Sequence, residues 1–277
     1  MFCGTCPVVA GRLSVPPGSL HCVTNNVEVE PPAVEVVSAE PEIQFRSDVT
    51  VDLVRASASD ADVLFAARVS TQGEQSLEQL DADPARSKGL INYLMRSRHG
   101  SPFEHNSMTF YVQAPIFVFR EFMRHRTASY NEESGRYRQL DPVFYVPGPE
   151  RKLGQVGKPG HYTFVDGTPE QHELVVAETK RVCADAYASY RRMLDAGVTR
   201  EVARIVLPVT IYSSMYVTLN ARALMNFLSL RVGDEEATFP SSPQREIEMC
   251  AEKMEQIWAG LMPLTHGTFQ AHGRVCP

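Results

Sequence analysis

Two apolar rhythms run through this chain, and the order in which they follow each other limits what it can fold into. VTVDLV (residues 49–54), SMTFYVQ (107–113) and TIYSSMYVTL (210–219) have the alternation, or the β-branched and aromatic content, of strands. Elsewhere the spacing is helical. Asp60 is placed to cap a helix carrying Val63, Leu64, Ala67 and Arg68, and Asp83-Pro84 has the cap-then-proline form of a second helix start. That second helix carries Leu90, Ile91, Leu94 and Met95 and delivers His99 to a loop. Ala114-Pro115 breaks the middle strand, after which IFVFREFMRHR restarts at helical spacing with Ile116, Phe119, Phe122 and Met123 inward. Gly and Pro recur from Pro147 to Pro169 as a surface excursion. A helix over residues 170–195 then turns Val175, Val182, Tyr187 and Leu194 inward. Thr199 caps EVARIVL, Pro208 stops it, and Asn220 caps a helix bearing Arg222, Asn226 and Arg231. Ser242-Pro243 opens a last long helix with Ile247, Met254, Ile257, Trp258 and Leu261 in the core. Helices outnumber strands without alternating as βαβ units, so the expected fold is α+β: helices around a largely antiparallel sheet in a single domain.

Length supports one main domain, because 277 residues bury one sizeable core. Residues 1–47 show no sustained period and contain two Pro-Pro steps, so they are expected to be a flexible N-terminal extension to a domain spanning 48–277. A formal net charge of −6 disfavours non-specific nucleic-acid binding. No apolar run reaches membrane-spanning length and the N-terminus has no export pattern, which makes the cytoplasm the default location. Six scattered cysteines in such a chain are expected to be thiols. Cys3-x-x-Cys6 with His21 and Cys22 loosely resembles a metal-ligand set, but the spacing is irregular and no metal is expected.

RHRTASYNEESGRY (residues 124–137) concentrates fixed polarity in fourteen positions. Arg120 and Arg124 fall one helical turn apart, where like charges repel unless an anion lies between them. One reading is a solvated face with surface ion pairs, for example to Glu121. The short polar groups that follow, Ser129, Asn131, Glu132, Ser134 and Gly135, favour a ligand-cradling loop for a nucleotide-like anion. A second class of reading takes Arg120, Arg124, Arg126, Arg136 and Arg138 as a nucleic-acid-binding stripe, against which the acidic total and interleaved glutamates argue. A third is a non-catalytic flavin- or nucleotide-binding protein.

The motif, with Arg124-His125-Arg126 followed after seven residues by Ser134, resembles the signature of the flavin-dependent thymidylate synthases. AARVS (66–70), HGSPFEH (99–105), APIFVFREFMRHR (114–126), REVARIVLP (200–208) and NARALMNFLSLR (220–231) resemble that family in the same order, over residues 48–270. The resemblance implies reductive methylation of deoxyuridine monophosphate, with methylenetetrahydrofolate as carbon source and NADPH-reduced FAD as hydride carrier. It also implies a homotetramer with sites at subunit interfaces. Arg120, Glu121, Phe122, Met123, Arg124, Glu132, Glu133, Ser134, Gly135, Arg136, Arg204 and Arg231 are then expected to hold the nucleotide. Ser70, Ser101, Arg124, His125, Arg126, Glu132, Asn220, Ala221, Arg222 and Asn226 are expected to hold FAD, with His99 close to the flavin ring.

Arg231 is the expected activator of the uracil ring, because a guanidinium stays charged while ionisation of N3 makes C5 nucleophilic. Ser134 is a weaker nucleophile candidate, since no base stands beside it in sequence. From the residues alone His99 reads as a helix C-cap and Arg204 as a surface charge on an amphipathic helix, and their site roles rest on the resemblance. Two departures stand out. RVGDEEATFPSSPQRE (231–246) lacks the histidine that family members place near the adenine of FAD, and Glu121 stands where some relatives have glutamine. The carboxylate is therefore expected near the nucleotide or holding Arg124 or another arginine.

Overall fold

The central sheet is built from the segments whose period is two. In this computed structural model, which describes residues 42–73, 84–158 and 161–277, four antiparallel strands run in the order β2-β3-β8-β4. They are β2 (Thr50–Ser57), β3 (Ser107–Pro115), β4 (Ser129–Glu132) and β8 (Tyr212–Leu219), and β3 pairs with β8 from Met108–Leu219 to Pro115–Tyr212. A short parallel pair joins β1 (Gln44–Arg46) to β5 (Val143–Tyr145), and β6 (Gly154–Lys158) pairs with β7 (His161–Val165) as a hairpin. The helices are α1 (Asp60–Gln72), α2 (Pro84–Arg96), α3 (Ile116–Phe122), α4 (Pro169–Asp195), α5 (Arg200–Ala203), α6 (Ala221–Arg231), α7 (Arg245–Leu261) and α8 (Pro263–Ala271). The α+β expectation holds. No described helix is long and apolar enough to cross a membrane.

The main core forms where the inward face of the sheet meets α1, α2, α3, α6, α7 and α8. Phe110, Val112, Phe119, Phe122, Leu224, Leu228, Met254 and Trp258 are all buried there. A second cluster under α4 gathers Phe144, Cys183, Tyr187, Tyr190 and Ile211. Cys183, Tyr187 and Tyr190 follow the i, i+4, i+7 stripe, whereas Val175 and Val182, expected inward, are 36% and 46% exposed. The first half of α4 lies outside the core, so periodicity there marks an uncovered face.

Several boundaries differ from expectation for local reasons. Ser59, not Asp60, caps α1: its N–H and hydroxyl both donate to Asp62 (2.7 and 2.8 Å). Asp60 instead caps α8, accepting from the backbone of Leu264 and Thr265 and from the Thr265 hydroxyl. The last long helix is followed by a further one, α8, because Pro263 at its first turn restarts the helix rather than ending the fold. β1 lies before the boundary drawn at residue 47, too short to be read by period. The Cys3, Cys6, His21 and Cys22 group and the Asp83 cap lie outside the described residues. Cys183, Cys250 and Cys276 are free thiols.

Candidate active site

The arginine motif starts where α3 stops. α3 ends at Phe122, so Arg120 and Arg124 are not an i, i+4 helical pair; Arg124 and His125 follow in a turn closed by His125 N–H donating to the Phe122 carbonyl (2.9 Å). Tyr130, on β4, donates its hydroxyl to the carbonyls of Phe122 and His125, a second donor for acceptors that already take the backbone N–H groups of His125 and Ala128. Ser129–Glu132 is a strand rather than a cradling loop, because it pairs with Met215–Thr218 of β8.

The motif's cations divide into two kinds. Arg136 pairs with Glu201 and Arg138 with Glu133 and Asp141, which breaks the continuous basic stripe. Arg120, Arg124 and Arg126 are exposed and make no side-chain hydrogen bond or ion pair among the described residues. Phe122 is buried at 1% exposure, so only its backbone can reach a ligand, while Met123, expected inward, is 45% exposed.

Glu132 and Arg204 meet around one cavity of about 210 Å³, with Gly135, Leu140, Ile211 and Ser213. A Cβ on Gly135 would lie 3.1 Å from Leu140 Cδ1 and 3.4 Å from Arg204 Cδ, so glycine lets the motif close on Arg204. Burial raises the proton affinity of Glu132, opposed by Ser213 and the charge of Arg204. Glu132 and Glu133 also line a second cavity of about 260 Å³ with Tyr111, Asn131 and Tyr216. Glu133 accepts from the Ser214 hydroxyl (3.0 Å). Ser134 Oγ accepts only from the Arg136 backbone (3.3 Å), with no carboxylate or imidazole bonded to it among the described residues.

Arg231, at the end of α6, is held from two sides. Its Nη1 lies 3.0 Å from Glu121 Oε2 and its Nε donates to His125 Nε2 at 3.1 Å. Glu121 thus holds an arginine, and that arginine is Arg231. His125 is buried, and burial together with the Arg231 charge pulls it down to about 4.

A third group lies around the turn after α2. His99 is exposed and packs edge-on against Tyr93 (5.6 Å), and Ser101 is exposed at the start of a 3₁₀ turn. Arg222 donates to Glu104 (2.5 Å) and to the Pro277 carbonyl (2.8 Å), and passes so close to Gly100 that a Cβ there would sit 2.5 Å from its Nε. Asn220 Oδ1 caps α6 through Ala223 N–H, and the Ala221 amide donates to Asn106, so both are engaged within the fold. Asn226 is exposed, and Ser70, also exposed, donates to the Ala67 carbonyl. The segment after Arg231 is tied down by Gly233 N–H on Glu248 and Thr238 N–H on the Gly273 carbonyl, and it borders a 750 Å³ cavity shared with Tyr162 and Phe164.

Sequence reading missed Ser213 and Tyr130. The first shows only as a hydroxyl on the inward face of a strand, the second only as an aromatic between two motif arginines. No single stretch could have revealed that Glu121, His125 and Arg231 converge.

Comparison with known proteins identifies the family. Residues 52–264 match the family model described as thymidylate synthase complementing protein. The chain is 67% identical over 244 residues to a flavin-dependent thymidylate synthase of Streptomyces coelicolor, covering 88% of this chain and 99% of that one. It is 59% identical to one of Tropheryma whipplei, covering 84% and 97%. Among solved structures, a UMP/dUMP methylase from Streptomyces cacaoi bound with 5-Br dUMP is 57% identical, with a TM-score of 0.81, covering 85% of this chain and all of that chain. With the motif, the ordered blocks and the fold in agreement, the chain belongs to the flavin-dependent thymidylate synthase family.

Proposed function

We propose that the chain methylates deoxyuridine monophosphate to thymidylate, with methylenetetrahydrofolate as carbon donor and NADPH as reductant of bound FAD. The observation that carries this reading is the open edge of Arg231. Its guanidinium is anchored at Nε and Nη1, yet its side chain keeps 18% exposure, so N–H donors remain for a planar anion. Held against the pyrimidine edge, it favours the N3 anion and so pushes electron density to C5. Glu132, Ser134, Gly135, Arg136 and Arg204 supply the surroundings of a nucleotide phosphate and sugar, and Ser134 acts as a hydrogen-bonding group rather than a nucleophile.

The donor set fits a flavin dinucleotide. Arg124 and Arg126 present uncommitted guanidinium groups, and Ser101, His99 and Asn226 present exposed polar groups. Arg222 joins them by exchanging one of its present partners. When bound, FAD supplies the hydride chemistry that no side chain performs. Within one chain, the Glu132 cavity, the Arg231 cluster and the His99 turn share no hydrogen bond or ion pair among the described residues. Exposed Val202, Ile205, Val206 and Val209 flank Arg204, and such a patch is suited to burial against another copy. Both features support a homotetramer whose sites are completed between subunits.

The test is the absorption spectrum of purified protein, followed by NADPH oxidation with and without deoxyuridine monophosphate. A yellow protein whose NADPH oxidation yields thymidylate supports the reading; a colourless protein that FAD cannot reconstitute overturns it. Because the solved neighbour is described as acting on UMP as well as dUMP, UMP is the competing substrate, and preference for it overturns the deoxy specificity. An active monomer in light scattering would refute the assembly.

A further inference from the structure

We propose that His125 is a positioning residue for Arg231: its Nε2 accepts from the guanidinium and, with Glu121, fixes that group's plane. This rests on the reading of Arg231 as the group that meets the pyrimidine. A guanidinium nitrogen never accepts a hydrogen bond, so in the 3.1 Å contact His125 Nε2 is the acceptor and the ring proton sits on Nδ1. One carboxylate would neutralise Arg231 but leave it free to rotate about its own stem. Two acceptors on different nitrogens define the plane, and with it the direction of the donors left over.

The imidazole is itself held in place. It is 7% exposed and meets Phe227 edge-on at 4.8 Å, and Phe227 stacks on Phe122 at 5.0 Å. Phe227 stands four residues before Arg231 on α6, so one helix carries both the guanidinium and the ring that supports its acceptor. The His125 backbone is pinned at both ends, its N–H on the Phe122 carbonyl and its own carbonyl under the Tyr130 hydroxyl. Burial and the neighbouring Arg231 charge keep the ring unprotonated near neutrality, which preserves the acceptor.

The experiment is a double-mutant cycle on FAD-saturated protein with His125→Phe, His125→Gln, Arg231→Ala and Arg231→Ala/His125→Phe. It reads kcat, deoxyuridine monophosphate affinity by calorimetry, and flavin absorbance. His125→Phe keeps a ring against Phe227 and is expected to lower kcat about 30-fold or more, with nucleotide affinity within about threefold and flavin retained. His125→Gln offers an acceptor again and is expected within about fivefold of the parent. On the Arg231→Ala background the histidine change is expected to do nothing further. Additive losses, loss of flavin in both His125 variants, or a Gln variant as impaired as Phe would overturn the proposal. A fully active Arg231→Ala enzyme is the distinct result that sinks the role of Arg231 itself.

Discussion

Two arginines in this chain sit beside a carboxylate and a histidine, and they are used in opposite ways. Arg274 grips Glu255 with both terminal nitrogens (2.7 and 2.8 Å), and the same carboxylate takes His266 (3.0 Å) and Gln270 (3.1 Å). Arg274 also lies over Phe269 at 5.2 Å, and its side chain is 4% exposed. Every strong contact points inward, tying α7 to α8 and the C-terminal segment. Arg231 has one carboxylate bond, one imidazole bond and an open edge. The difference lies in where the spare donors face: the Arg274 Nε is buried 3.8 Å from Asp234 Oδ2, whereas Arg231 keeps an exposed edge, so the first fork holds a fold together and the second is ready for a ligand.

The largest expected effect breaks that comparison most directly. Arg274→Ala leaves Glu255 buried without its cation and is expected to destabilise the protein by about 3–5 kcal/mol in urea unfolding. Arg231→Ala is expected to change stability by less than about 1 kcal/mol while lowering kcat by about 10²–10³. Equal stability losses in the two variants would erase the distinction between closed and open clusters.

Acid separates the clusters by pH window. His125 is depressed from 6.5 to about 4, so the unfolded chain binds the proton more readily, and stability present above pH 6.5 is lost as pH falls toward 4. Glu255 is desolvated, which alone would raise it, but the hydrogen bonds from His266 and Arg274 outweigh burial and pull it down to about 2. Its stability contribution is present above pH 4.5 and lost as pH falls toward 2. At about 1.4 kcal/mol per pKa unit, each is worth at most roughly 3.5 kcal/mol. Urea titrations across pH should therefore show His125→Gln flattening the upper window and Glu255→Gln the lower one. A single shared window would mean that the two clusters titrate as one.

What the sequence shows depends on how local the cause is. Strands β2, β3 and β8 and helix α6 were readable because VTVDLV, SMTFYVQ and TIYSSMYVTL carry their pattern within a few residues and Asn220 caps its own helix, whereas β4 is a strand only through its pairing with β8. A candidate set of site residues was readable through the resemblance of ordered blocks. Their mutual arrangement was not. Glu121 and His125 reach Arg231 across more than a hundred positions, and nothing in either segment specifies the other. The Asp60 carboxylate sits at the right place to cap α1, yet caps α8 from about two hundred positions away, because tertiary packing decided between two helix ends with the same need. Val175 and Val182 mislead for the related reason that a helical stripe signals an apolar face without naming what covers it.

The smallest expected effect tests how far the open cluster depends on backbone support. Tyr130 touches no residue of the Arg231 fork through its ring polarity; its hydroxyl acts only on the carbonyls of Phe122 and His125 (2.7 and 2.9 Å). Burial pushes its phenol up to about 12, so it remains a donor at any working pH. Tyr130→Phe removes that donor and keeps the ring, and is expected to cost about 1 kcal/mol of stability. If the turn carrying His125 relaxes when those carbonyls keep only their backbone donors, Arg231 loses its aim as well, and kcat falls about threefold to tenfold with nucleotide affinity nearly unchanged. A stability loss without any change in kcat would show that the packing of His125 on Phe227 suffices to hold the turn. In that case the positioning chain ends at the imidazole and does not extend into β4.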